Sequence, residues 1–182
     1  MLSTDQKGSI AETAIVAAAA RLGIGVFKPL TDGERYDLIF DLRPRLVRVQ
    51  CKWASRRGDV VIVRCYSCRR VREGQRRRIY ADGEVDAFAA YCEELDSTYF
   101  FWAADFSGRS TVWLRLSPTR NSQQLLINWA DDFEFAATLN AYVDGAIAQL
   151  GERQRGTLEV AGSSPAGSTA KAALGGLRLF SV

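Results

Sequence analysis

Residues 36–53, YDLIFDLRPRLVRVQCKW, decide the fold. Two apolar runs, YDLIFDL (36–42) and LVRVQCKW (46–53), flank the break at Arg43-Pro44, which a strand does not tolerate in its middle. The pattern predicts two neighbouring strands joined as a hairpin. Side chains alternate along a strand, so Val47, Val49, Cys51 and Trp53 share one face while Arg48, Gln50 and Lys52 share the other. A strand covered on both faces is normally apolar on both. Gln50 and Lys52, expected beside Asp37 of the preceding strand, therefore call for a chemical explanation.

Elements of both kinds surround this hairpin. Before it, GSIAETAIVAAAARL (8–22) is rich in helix formers, with Ile10, Ala14, Ala17 and Leu22 at helical spacing and Gly23 and Gly25 ending the run. GVFKPL (25–30) reads as a strand. After it, a basic turn from Ser55 to Gly58 leads to a strand in DVVIVRCY (59–66). VDAFAAYC (85–92) and STYFFWAA (97–104) read as a strand pair, a helix staying open for the first, and STVWLRL (110–116) as a further strand. WADDFEFAATLNAYVDGAIAQL (129–150), with Phe133, Ala137, Leu139, Tyr142 and Ile147 as its apolar positions, predicts a second long helix. One helix, a mixed sheet and a closing helix make an α/β sandwich, expected as one domain over residues 1–150.

Beyond it, residues 151–182 carry small side chains and little apolar surface, which predicts a poorly ordered tail. Its wording is unusual. AIAQLGER (146–153) and EVAGSSPAGST (159–169) are similar to what a reading frame running through a tRNA gene encodes. On that hypothesis the tail was not selected for folding.

The chain of 182 residues, 47% hydrophobic and 25% charged, is long enough to bury a core. A polar N-terminus and the lack of any long apolar run argue against a signal peptide or membrane span, so a cytoplasmic protein is expected. The net charge of +3 conceals an asymmetry: RCYSCRRVREGQRRR (64–78) holds seven arginines against the single acid Glu73. Charge this dense on a protein otherwise slightly acidic fits a phosphate-binding surface, with Arg56, Arg57, Arg69, Arg70, Arg72, Arg76, Arg77 and Arg78 as candidate DNA contacts. The chain has no histidine, which excludes serine–histidine triads, histidine-based nuclease centres and Cys₂His₂ zinc sites. Cysteines stand at 51, 65, 68 and 92, and only Cys65 and Cys68 have ligand-like spacing, so reduced thiols are expected rather than zinc.

Acid–base work is left to carboxylates, lysine or a metal ion. Phosphodiester hydrolysis needs a nucleophilic water and a counter to charge growing on the phosphate oxygens, and a divalent cation supplies both. Asp37, Gln50, the backbone carbonyl of Cys51 and Glu12 of the first helix form an all-oxygen set suited to magnesium. Lys52 completes the candidate catalytic group by orienting or deprotonating the water and stabilising negative charge.

The chain also resembles a known family, the PD-(D/E)XK endonucleases associated with bacterial group I introns. The resemblance spans Gly8 to Phe135 and rests on GSIAE, GVFKPL, GERYDLIFDL, RLVRVQCKWA, VDAFAAYCEELDSTYFFW and LRLSPTRNSQQLLINWADDFEF. It implies a restriction endonuclease-like sandwich, a homing enzyme that cuts double-stranded DNA at an intronless allele, and a metal site at Glu12, Asp37, Gln50 and Lys52. Gln50 stands where the wider superfamily has an acid, which removes one negative charge from that site; the intron enzymes share the glutamine. Two strands to cut favour a homo-oligomer, dimer or tetramer. Two other readings stay open at this level: a non-catalytic DNA-binding protein on a decayed nuclease scaffold, and a repair or junction-resolving nuclease of the same fold.

Overall fold

In the computed structural model, which describes residues 1–31, 33–71, 74–118 and 126–146, the chain enters helix α1 (Thr4–Arg21) through Ser3. The Ser3 hydroxyl accepts the Gln6 N–H at 3.1 Å and the Gln6 side chain accepts the Ser3 N–H at 2.8 Å. This capping box, spelled STDQ, starts the helix four residues before the expected Gly8. Gly23, at φ +71°, ends it: its N–H reaches the Ala20 carbonyl while the Ile24 N–H reaches Ala19. The buried stripe is Ala11, Ile15 and Ala19, not Ile10, Ala14 and Ala17. Alanine on every side of this helix leaves its periodicity ambiguous, and contact with the sheet selects the face.

Nine strands follow among the described residues: β1 (Gly25–Phe27), β2 (Leu38–Asp41), β3 (Leu46–Arg57), β4 (Val60–Arg64), β5 (Tyr66–Val71), β6 (Gly74–Ile79), β7 (Ala87–Cys92), β8 (Ser97–Trp102) and β9 (Thr111–Arg115). The hairpin expected at Arg43-Pro44 is β2–β3, antiparallel, with Leu38 opposite Val49. β7 is a strand, and it runs parallel to β3 from Val49 opposite Ala87 to Ala54 opposite Cys92. The remaining pairings of the seven-stranded sheet are antiparallel, so the sheet is mixed. The expected turn at 55–58 is shorter, because Ser55–Arg57 continue β3 and Gly58, at φ +58°, makes the reversal. The arginine-rich segment forms a separate two-stranded hairpin, β5–β6.

β3 is the organising strand. β2 pairs with its first four residues and β4 with its last four, both on the edge opposite β7. Between them, at residues 50–53, no described strand covers that edge. The sheet forks there.

Two apolar clusters fill the faces. One joins α1 (Ile15, Ala19) and Phe135 and Leu139 of a second helix, α2 (135–146), to Phe40, Val47, Val49 and Phe100 of the sheet. The other joins Ala54, Val61, Val63, Phe88, Phe101 and Leu114. α2 turns Phe135, Leu139 and Tyr142 inward instead of Phe133 and Ala137, because a short 3₁₀ turn (Asp131–Phe133) precedes it and shifts the register. Phe133 packs edge-on to Phe101 in the second cluster. This is the α/β sandwich expected of a restriction endonuclease-like fold. No described helix is long and apolar enough to cross a membrane. The tail expected over residues 151–182, with its tRNA-like segment, lies outside the described residues.

Candidate active site

The fork leaves the backbone of Cys51 without a described strand partner on that edge of β3, and Asp37 occupies the gap. Asp37 enters β2 with its N–H donated to the Val49 carbonyl at 3.0 Å, which aims its side chain along the edge. Its Oδ2 accepts the Cys51 N–H at 2.8 Å and also the amide N–H of Gln50. Oδ1 carries no hydrogen bond among the described residues. Burial raises the Asp37 pKa more than any other influence, with the charge of Glu12 adding to it against the Cys51 N–H, Lys52 and Lys28.

Gln50, 8% exposed, is the sole buried polar side chain among the described residues. Its Oε1 accepts the Tyr80 hydroxyl at 2.8 Å, and its Nε2 also lies 3.3 Å from the Cys51 carbonyl. Lys52 extends from the same strand face. Its Nζ donates to the Tyr80 hydroxyl at 2.9 Å and to the Tyr66 carbonyl at 3.2 Å. Burial lowers its pKa to about 8, against the pull of Asp37.

Glu12 borders the buried stripe of α1, one position after Ala11. It is ion-paired with Lys28, Nζ to Oε2 at 2.8 Å, and that hydrogen bond is the main cause of the raised Lys28 pKa. Asp37 is thus bonded to Gln50 and lies within electrostatic reach of both Glu12 and Lys52. Lys28, Tyr80 and Arg35 were not singled out. Arg35 lies 4.2 Å over the Tyr80 ring and bonds Ser67 and Glu84.

The donors suit a hard divalent cation. They are the carboxylates of Asp37 and Glu12 and the carbonyl of Cys51; Gln50 presents its Nε2 to Asp37 and the Cys51 carbonyl, so its Oε1 would join them on a turn of the amide. A desolvated carboxylate with a free oxygen is the kind of group such a cation stabilises. Among the described residues no three His, Cys, Asp or Glu side chains cluster to hold a metal, so both amide-type oxygens would have to serve.

Arg76, Arg77 and Arg78 are exposed on β6. Arg77 stacks 5.1 Å from the Tyr66 ring centroid, and Arg78 is ion-paired with Glu84. Arg56 falls on the Lys52 face of β3 and donates to the Gly58 carbonyl at 2.8 Å; Arg57 falls on the opposite face. Arg72 and the side chains of Arg69 and Arg70 lie outside the described residues.

The model of the PD-(D/E)XK endonuclease family matches residues 2–136. The chain belongs to this family. It is a nuclease that cuts within its substrate strand, and the fork at Asp37 and Gln50 lies inside the matched region. A solved structure described as a bacterial homing endonuclease, I-Ssp6803I, aligns with a TM-score of 0.64 at 29% sequence identity, covering 81% of this endonuclease and 98% of that chain. No match was found among the curated proteins.

Proposed function

We propose that this endonuclease is a site-specific homing enzyme of a group I intron that hydrolyses phosphodiester bonds of double-stranded DNA with magnesium. The observation that carries the reading is the fork in β3, where the Asp37 carboxylate, the Cys51 backbone and Gln50 meet beside Lys52. Asp37, Glu12, Gln50 Oε1 and the Cys51 carbonyl would hold the ion. Bound there, magnesium supplies Lewis acidity toward the scissile phosphate.

The protein's own groups do the rest. Lys52, an ammonium for the most part at neutral pH, orients the attacking water and stabilises charge developing on the phosphate oxygens. Asp37 is fixed by the Cys51 N–H, so it costs little reorganisation during reaction. The exposed arginines of β6, with Arg69, Arg70 and Arg72 of the same segment and Arg56 and Arg57 beyond the fork, grip the phosphate backbone. A second active site from a second copy of the chain would cut the other strand, which argues for a dimer or tetramer.

The homing assignment is supported by the likeness to a bacterial homing endonuclease along nearly its whole length. Its test is cleavage of an intronless copy of the host gene. Cutting at one fixed position, with the intron-bearing copy resistant, is the expected result. Equal cutting of both, or a preference for branched DNA, would replace homing with a repair role.

A further inference from the structure

Tyr80 lies one residue beyond β6, and its hydroxyl stands between two groups of the candidate centre. It accepts from Lys52 Nζ at 2.9 Å and donates to Gln50 Oε1 at 2.8 Å. The ring has further close neighbours. Lys52 Nζ lies 4.8 Å and the Arg35 guanidinium 4.2 Å from its centroid, and Phe88 packs against it edge to face at 5.3 Å. Arg35 is itself tied to Ser67 at 3.0 Å and Glu84 at 3.1 Å, with its Nε buried and unpartnered among the described residues.

We propose that Tyr80 is a positioning residue of this nuclease, acting on the reaction through Lys52 and Gln50. The inference rests on the assignment of those two residues to the active centre. An ammonium has three N–H donors and no acceptor. The Tyr66 carbonyl and the Tyr80 hydroxyl take two of them, leaving the third for water or phosphate. Because Lys52 donates, the single Tyr80 proton goes to Gln50 Oε1, and without a bound cation the amide Nε2 faces Asp37. Tyr66 and Ile79 are paired at the base of the β5–β6 hairpin. Both partners of Lys52 therefore belong to the foot of the arginine-bearing arm.

Tyr80→Phe keeps the ring, its stacking on Arg35 and its contact with Phe88, and removes only the hydroxyl. Single-turnover and steady-state cleavage by the full chain should show kcat falling between about tenfold and a hundredfold, the usual cost of a misplaced reacting group. KM and DNA affinity in calcium should stay within about twofold, as expected when ground-state binding is untouched. On a Lys52→Ala background the same substitution should cost clearly less than on the parent, because groups acting as a unit are non-additive. Parental kcat for Tyr80→Phe beside a crippled Lys52→Ala would overturn this inference alone. So would full multiplicative loss in the double variant, or a loss confined to DNA affinity. Parental cutting by Lys52→Ala would overturn the active-centre assignment as well.

Discussion

The Asp37 carboxylate accepts the backbone N–H of Cys51 at 2.8 Å across a stretch of β3 edge that no described strand covers. A side chain takes the place of a missing strand partner there. Burial is the main reason its pKa is raised, so in the metal-free protein the charged form is disfavoured. A carboxyl whose folded pKa lies above its unfolded value binds more protons when folded, and stability falls as pH rises through that window. Asp37→Asn should therefore melt at the same temperature as the parent or higher at neutral pH without metal, and should lose magnesium-supported cleavage. Calorimetry and a cleavage assay on one preparation check both. A large loss of stability would mean that the residue is structural.

Lys28 competes with a cation for Glu12, its ammonium lying 2.8 Å from the carboxylate. Lys28→Ala should tighten divalent-metal binding in calorimetric titration of the DNA-free protein. A weaker or unchanged affinity would take Glu12 out of the metal set.

Asp86 locks the entry of β7 against β3. Its carboxylate accepts the Arg48 N–H at 2.8 Å and both Arg48 Nε and Nη2 at 3.0 Å, and Arg45 lies at 3.3 Å. Burial alone would raise the Asp86 pKa, but the bonds from Arg48 hold it below the ordinary value. Its contribution is therefore present above an unfolded pKa of about 3.9 and is lost as pH falls through the lower folded value. Asp86→Asn should cost about 1–2 kcal/mol at pH 7, after allowance for the exposure of the arginines. Urea melts should show the gap between variant and parent closing in acid; a gap independent of pH would contradict the ion-pair account.

Arg76 and Arg77 project from β6 as exposed cations, whereas Arg78 is already paired with Glu84. Neutralising Arg76 and Arg77 should flatten the dependence of log K on log salt by up to about 0.9 per lost phosphate contact. Arg78→Ala should change it less. Equal effects at all three positions, or none, would move the DNA surface elsewhere.

The strand-borne part of the candidate site was legible because a period of two is unambiguous: Gln50 and Lys52, in the middle of a strand that packing would make apolar and beside Asp37, break a pattern. Tyr80, Arg35 and Lys28 break none. Each matters through a partner distant in sequence, Tyr80 meeting Gln50 across 30 residues and Arg35 meeting Glu84 across 49. The arginine segment read as a charged patch because seven arginines among the fifteen residues of 64–78 mask the alternation that marks a hairpin. α1 was visible as a helix while its buried face was not, since alanine marks no side.

The central claim is that a divalent cation held at Asp37, together with Lys52, cuts DNA. The most direct measurement is conversion of supercoiled target DNA to nicked and linear forms by the parent and by Lys52→Ala, in magnesium and in excess chelator, with gel shifts in calcium. The parent should cut in magnesium and not in chelator. Lys52→Ala should bind DNA as the parent does and cut at least about a hundredfold more slowly, the typical cost of losing one preorganised charged group. Cleavage by the parent in excess chelator, or near-parental cutting by Lys52→Ala, would contradict the account.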